Sequence, residues 1–470
     1  MSNISNSPSK ILDTAQWVLL IICTISFFSI SLLPLPGFTH QGQQALAVFS
    51  VAAILWVTNI FPIAITGIIV LFLLPVSGAI SSSIAYSYFG NSSVFFILGA
   101  FILASPVMRS GLSTRIAIVI ISKFGKSPRK LLCSIYVLSC LLAFVISEHA
   151  VAAMLFPIVL EIVKATGVST NSRFALGAFL SMGWGAVIGG TATLLGGARA
   201  PLAIGMLQSN TGQEISFLQW TAWTLPIVFL TSIATLTIIF LLTRKSKVSV
   251  DSAREQLLAY KKELGKFSQR EIRTLFVLAV TITLWVIWGT SWGLDWIAFL
   301  GVIMAFMLKV TNWQEVEEDV KWGIFIMYGS AIALSTTLTF TGASHSLVNL
   351  IIHTGISSPL VIFIIIVLLA FVLTEVMSNA AAVAVLMPIG IALSTEYGID
   401  PRAIAVAIAT CAGLTFMLPV STPAMAIITH SDYVPSKKVA MYGLLLKIIA
   451  FAIFMLVVTY YWPNAGLKVF

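Results

Sequence analysis

Charge is what this chain has least of. Asp, Glu, Lys and Arg make up 9% of its 470 residues, against roughly 25% in soluble domains. So few charges cannot clothe the surface of a water-soluble globule. Cysteine is scarce as well: Cys23, Cys133, Cys140 and Cys411 are the four in the chain, each inside an apolar run. They show neither metal-ligand spacing nor a disulfide framework, and read as buried apolar packing. The motif H-E-x-x-H is absent, so that zinc-hydrolase signature is not present.

What the chain does have is apolar residues, 59% of the total. At about 20 apolar residues per span, this is the composition of an all-α polytopic membrane protein. Met1–Gln16 is polar, and the apolar run after it lacks an A-x-A-like cleavage site. That run is expected to remain as a helix rather than leave as a signal peptide.

The formal charge is +9, and much of it is concentrated in one place. Arg244, Lys245, Lys247, Arg254, Lys261, Lys262, Lys266, Arg270 and Arg273 are nine of the 26 basic residues. Glu255, Glu263 and Glu271 are interleaved with them, around a helix-like stretch, SAREQLLAYKKELGKF. The positive-inside rule reads this as a cytoplasmic loop, and no nucleic-acid partner is expected.

Apolar runs predict helices near 16–34, 43–60, 62–78 and 92–121, interrupted regions at 130–164 and 173–207, and a span at 217–243. After the basic loop, 244–272, the order begins again. Helices are predicted near 273–290, 293–310 and 321–353, interrupted regions at 358–395 and 402–430, and a last span at 438–462. The domain reading is therefore a tail and first helix (1–42), a first repeat (43–243), the loop, and a second repeat (273–470). With the N-terminus cytoplasmic and each pair (130–164 and 358–395) dipping back to its own side, Lys123, Lys126, Arg129, Lys130, Arg173, Lys309, Lys321, Lys437 and Lys438 fall inside with the basic loop. Arg402 and Lys468 fall outside. The pairs then enter from opposite faces, the inverted repeat of many secondary transporters. The expectation is about 11 spans plus two re-entrant hairpins.

Two short stretches carry the chemistry. Residues 146–158 read ISEHAVAAMLFPI and residues 377–389 read MSNAAAVAVLMPI. Aligned on Ser147 and Ser378, both have Ala three residues on, Leu eight on and Pro-Ile at ten and eleven. A hairpin tip at each serine would expose helix N-terminal amides, and two facing tips make an anion site without a lysine. The plainer alternative is that Ser and Asn only join helices by hydrogen bonds. After each hairpin comes a second interruption: GGTATLLGGARAPLAIG at 189–205 and FMLPVSTPAMAIIT at 416–429. Such breaks free carbonyl oxygens suited to sodium, or are simple kinks.

TEVMSNAAAVAVLMPI and FMLPVSTPAMAI resemble the divalent anion/sodium symporter family, the dicarboxylate and sulfate transporters. The resemblance covers nearly the whole chain in topology and is most specific from about Thr374 to Ile428. It implies a homodimer in the bacterial inner (plasma) membrane, with a scaffold domain and a transport domain that moves as an elevator. It also implies sodium beside each tip, with a small anionic substrate between. Carried over residue by residue, it places sodium at Thr374, Met377, Asn379 and Ser421, and less fully at Ser147, Glu148 and Gly196. Substrate would meet Ser147, His149, Gly197, Ser378, Asn379, Thr422 and Pro423. No organic cofactor is implied.

The first half departs from the family pattern. Its tip is Ser-Glu-His rather than Ser-Asn-Thr, Ala143 stands where a hydroxyl is common, and GGARAP replaces a Pro-Pro-Asn turn. At the second tip Ala380 replaces threonine, and Ala424 and Met425 replace Pro-Asn. The departures bring Glu148, His149 and Arg199 to one region, and ionisable groups inside a membrane are by default functional. Glu148 could ligate sodium, carry a proton in its place, or pair with Arg199, the last being a purely structural role. His149 could meet the anion or titrate near neutral pH.

The expected function is sodium-coupled transport of a divalent anion, a C4-dicarboxylate first and sulfate next. An anion exchanger, proton-coupled or uncoupled, and a passive anion channel are the alternatives. An intramembrane hydrolase built on Ser147, Glu148 and His149 is disfavoured, because such triads are assembled from residues far apart in sequence. Glu375 is expected to support the second hairpin, and Asp295, between Trp292 and Trp296, to anchor at an interface. His40, His345, His353 and His430 carry no ligand spacing.

Overall fold

The computed structural model describes residues 14–246, 248–353 and 355–469. Most of the predicted N-terminal tail, and Lys247 of the basic loop, lie outside the described residues. Among the described residues the chain is entirely helical, without strands. Eight helices among the described residues are long and apolar enough to cross a membrane. The molecule is an integral membrane protein.

A shift of 231 residues carries the first half onto the second. Ile63–Val76 falls on Leu294–Met307, and Glu148–Ala165 on Asn379–Glu396, with both ends matching. The two halves are laced together reciprocally: Ile63–Val76 packs against Trp322–Phe340, and Leu294–Met307 against Ser92–Arg109.

The two long helices predicted at 92–121 and 321–353 are each divided. The first becomes Ser92–Arg109 and Leu112–Phe124, the second Trp322–Phe340 and Ala343–Ile352. Gly111 (φ 82°) and Gly342 (φ 77°) make the breaks, in a left-handed conformation that glycine adopts without steric cost. The apolar pattern runs straight across both, which is why hydropathy alone reads one helix.

Each hairpin is a pair of helices joined by a short non-helical tip. Pro128–Leu142 leads to Glu148–Ala165, and Pro359–Val376 to Asn379–Glu396. A proline opens each first helix, where its missing N–H costs nothing. Ser147 and Ser378 are the N-caps of the second helices, accepting from the N–H groups of Ala150 and Ala381 at 3.4 and 3.3 Å. Pro157 and Pro388 lie at matching places inside those helices.

Behind the hairpins stand the broken helices, Arg173–Gly189 with Arg199–Thr211, and Pro401–Gly413 with Pro423–Thr429. Backbone groups freed at membrane depth need partners. At the first break Trp220 Nε1 donates to the Thr191 carbonyl and Thr224 Oγ1 to that of Ala192, both from the following helix, Phe217–Thr243. At the second, the Glu375 carboxylate accepts from the N–H groups of Phe416, Met417 and Leu418. Lys447, on the last helix, Ser436–Tyr460, pairs with Glu375 and donates to the Leu414 carbonyl. Glycine permits close contact: a Cβ on Gly185 would lie 2.8 Å from the Tyr136 carbonyl oxygen and one on Gly189 closer still to that of Cys140, so Arg173–Gly189 sits directly on Pro128–Leu142.

Candidate functional site

The two tips meet. Glu148 and Asn379 begin the second helix of their hairpins, occupy equivalent places in the repeat, and lie side by side: one end of the Asn379 amide is 3.4 Å from Glu148 Oε1. Around them is a cavity of about 350 Å³. Glu148, His149, Gly197 and Arg199 line it from the first half, and Ser378, Asn379, Ser421 and Pro423 from the second. Ile63 and Lys321 line it from outside the hairpins and broken helices.

Glu148 is wholly buried and fully engaged. Its Oε2 receives Arg199 Nη1 at 3.0 Å, and its Oε1 the Thr422 hydroxyl at 2.9 Å. Its own N–H donates to the Gly196 carbonyl at 2.9 Å. Arg199 Nη2 donates to Thr191 Oγ1 at 2.9 Å. A buried ion pair holds only where its remaining hydrogen-bonding capacity is met, and here neighbours from both halves meet much of it. Glycines make the room: a Cβ on Gly190 would lie 2.8 Å from Glu148 Oε2, and one on Gly197 or Gly413 would fall on the Arg199 guanidinium.

His149 stands beside the pair, its Nδ1 3.4 Å from Thr422 Oγ1 and 3.8 Å from Glu148 Oε1. Ser147 and Thr422 are not among the residues that line the cavity. The Ser147 hydroxyl caps its helix, and the Thr422 hydroxyl is given to Glu148.

A second cluster lies under the second tip. One end of the Asn379 amide is 3.0 Å from the Ser421 carbonyl oxygen, 3.0 Å from Thr374 Oγ1 and 3.2 Å from the Ala412 carbonyl oxygen. Thr374 has one proton, and its shortest bond, 2.6 Å, goes to Ala412. With the amide oxygen at that end, four oxygens converge with a single hydrogen among them. Such an oxygen set fits a hard cation. Met377, buried, is the extended residue between the Thr374 helix and the tip.

Spacing cannot announce several of these neighbours. Ala412, Gly190, Gly413 and Thr191 carry no distinctive side-chain chemistry, and enter through backbone, small size or a lone hydroxyl. Lys321 reads as one more basic residue at a membrane face until folding turns it to the cavity. Asp295 likewise lines a second cavity rather than serving only as an interfacial anchor.

Repeated halves, interrupted helices that meet in the interior, and a cavity between them lined by ionisable and amide side chains define a membrane transporter. The chain belongs to the family described as the sodium:sulfate symporter transmembrane region, which it matches over residues 14–467. It is 29% identical to the sodium-dependent dicarboxylate transporter SdcS of Staphylococcus saprophyticus, over 98% of this chain and 94% of that one. It is also 29% identical to SdcS of Staphylococcus aureus, over 97% and 92%. Among solved structures it shares its fold with MtrF of Neisseria gonorrhoeae (TM-score 0.57, 14% identity, 96% and 95% of the two chains). It also resembles the YdaH transporter of Alcanivorax borkumensis (TM-score 0.51, 13% identity, 80% and 86%).

Proposed function

We propose that this protein is a secondary active transporter of small divalent anions, C4-dicarboxylates first and sulfate next, driven by sodium bound under the second tip. The names of the SdcS relatives support the ion and the substrate class. The observation that carries the coupling is the position of the Asn379 amide, between the oxygen cluster and Glu148.

An amide has one acceptor end and one donor end. With sodium bound, the oxygen faces the cation and the nitrogen donates toward Glu148 and the cavity. Without sodium, the four-oxygen cluster has no cation to hold it together. The amide is then better satisfied turned by half, its nitrogen donating to Ser421, Thr374 and Ala412. Its oxygen then faces Glu148 Oε1, oxygen to oxygen, and adds negative potential where the substrate must bind. Sodium thus prepares the anion site through one side chain.

At the first tip the Arg199 guanidinium supplies a fixed positive charge beside Glu148. One sodium, at the second tip, is the coupling ion this geometry supports best. A coupling proton would act through Glu148 and would loosen Arg199. His149, Ser378, Asn379 and the backbone at Gly197 and Pro423 surround the substrate. The hairpins and broken helices move together as a transport domain against a scaffold of the remaining helices, in a homodimer in a bacterial plasma membrane with its N-terminus inside. The Ser147 hydroxyl is engaged as a helix cap and makes no bond to His149, which supports transport over hydrolysis.

Uptake of labelled succinate, and separately sulfate, into proteoliposomes tests this, with sodium gradients and trans-side anion imposed independently. Sodium-driven uptake that Asn379→Ala abolishes is the expected result. Uptake that follows trans-side anion, ignores sodium and survives Asn379→Ala overturns sodium coupling in favour of exchange.

A further inference from the structure

Lys321 reaches the cavity from outside the hairpins and broken helices, as do Ile63 and Gly323. It sits just before the helix Trp322–Phe340, is exposed, and faces the space under the two tips. Among the described residues it forms no ion pair, and its electrostatic partner, Glu148, is already held by Arg199. Arg199 is therefore largely neutralised within the cavity, whereas Lys321 remains an available cation.

The repeat shows what Lys321 lacks on the other side. The cavity is closed by the starts of two packed helices, Ile63–Val76 and Trp322–Phe340. Their repeat equivalents, Leu294–Met307 and Ser92–Arg109, also pack together, and their starts close a second cavity of about 390 Å³. Ser92, Gly293 and Asp295 line it. In the threading read from the sequence, Ile63–Val76 and Ser92–Arg109 are successive crossings; on that reading their starts lie at opposite faces of the membrane and the two cavities open to opposite sides. Under the 231-residue shift Lys321 corresponds to Gly90, and Ala64 to Asp295. One mouth carries a cation where its mirror has none; the other carries an acid where its mirror has alanine.

We propose that Lys321 is a one-sided substrate-binding residue: its ammonium contacts the anion while the tips stand at the Lys321 cavity, and stays behind when they move to the Asp295 cavity. The proposal rests on the moving-domain reading above. A charge mounted on the transport domain would alter affinity equally on both faces. A charge mounted on the scaffold alters it on one. The anion is then held more tightly at the Lys321 face than at the Asp295 face.

The test uses the full chain in proteoliposomes of known orientation, with labelled succinate and sulfate as probes. An impermeant thiol reagent applied to Lys321→Cys identifies which face the residue occupies. Lys321→Gln is expected to raise the half-saturating anion concentration about tenfold at that face, the worth of one charge-assisted bond, and less than twofold at the other. Lys321→Arg, which keeps the charge, is expected to restore most of the affinity. An equal change on both faces, or none on either, overturns the role of Lys321, while uptake that Asn379→Ala still abolishes leaves the functional reading standing. A wild type that carries neither anion overturns the functional reading, and the assignment of Lys321 with it.

Discussion

Glu148 and Asn379 occupy the same place in the repeat, and they touch: one end of the Asn379 amide lies 3.4 Å from Glu148 Oε1 across the junction of the two halves. One has become a carboxylate held by an arginine. The other has remained an amide held over an oxygen cluster. The site is symmetric in backbone and asymmetric in charge.

The Glu148–Arg199 pair should be costly to break and cheap to replace. Arg199→Ala leaves a wholly buried carboxylate without its cation, a loss of about 3–5 kcal/mol by the usual measure of broken buried pairs. Glu148→Gln/Arg199→Met removes both charges and should recover most of that stability while transport stays lost. Thermal melting in detergent, beside uptake, separates the two effects. A double variant that transports normally would make the pair purely structural.

Thr374→Val keeps shape and removes one oxygen of the cluster. It is expected to raise the sodium concentration for half-maximal uptake about tenfold. It should also remove most of the rise in melting temperature that sodium confers by binding the folded state. Asn379→Asp keeps an oxygen for sodium but cannot present a donor to Glu148. It is expected to retain sodium-dependent stabilisation and lose transport, because two carboxylates then face each other. Retained transport in that variant would show that the amide nitrogen plays no part.

The glycines around the pair are there for space. A Cβ on Gly190 would lie 2.8 Å from Glu148 Oε2 and 2.9 Å from the Gly196 carbonyl oxygen, while one on Gly413 would meet the Arg199 guanidinium. Gly190→Ala and Gly413→Ala should therefore mimic loss of the pair, with uptake reduced about tenfold or more and destabilisation in the 1–3 kcal/mol range of overpacked cores. Near-normal uptake in Gly413→Ala would show that the guanidinium can move aside.

Away from the site, Asp319 ends the short helix Trp313–Asp319 and receives Ser105 Oγ at 2.6 Å and Arg109 Nε at 2.7 Å. Burial pushes its carboxyl up, but the hydrogen bonds from Arg109 and Ser105 outweigh this and hold it below the ordinary 3.8. A folded-state value below the unfolded one stabilises fully above 3.8, and the gain disappears as pH falls through the folded value. Wild type should be more stable than Asp319→Asn at neutral pH, with the gap closing in acid below 3.8. Parallel melting curves across that range check it, and a gap independent of pH would show that charge at Asp319 does not stabilise the fold.

The sequence by itself determined the membrane class, the order of elements and the repeat. These follow from local chemistry: low charge, apolar runs, and two serine tips spaced 231 residues apart. It also brought Ser378, Asn379, Glu148 and Arg199 into consideration, because polar groups in apolar runs stand out. What it could not decide was which of those groups face one another. Glu148 meets Arg199 from 51 residues away and Thr422 from 274, distances over which no local pattern carries information. The breaks at Gly111 and Gly342 were hidden because hydropathy does not register a change of backbone direction. Lys321 and Asp295 looked like interface residues, since a charge at a helix start reads the same whether it faces lipid headgroups or a cavity. Only packing of one half against the other decided that, because the cavities exist only where helices from both halves begin side by side.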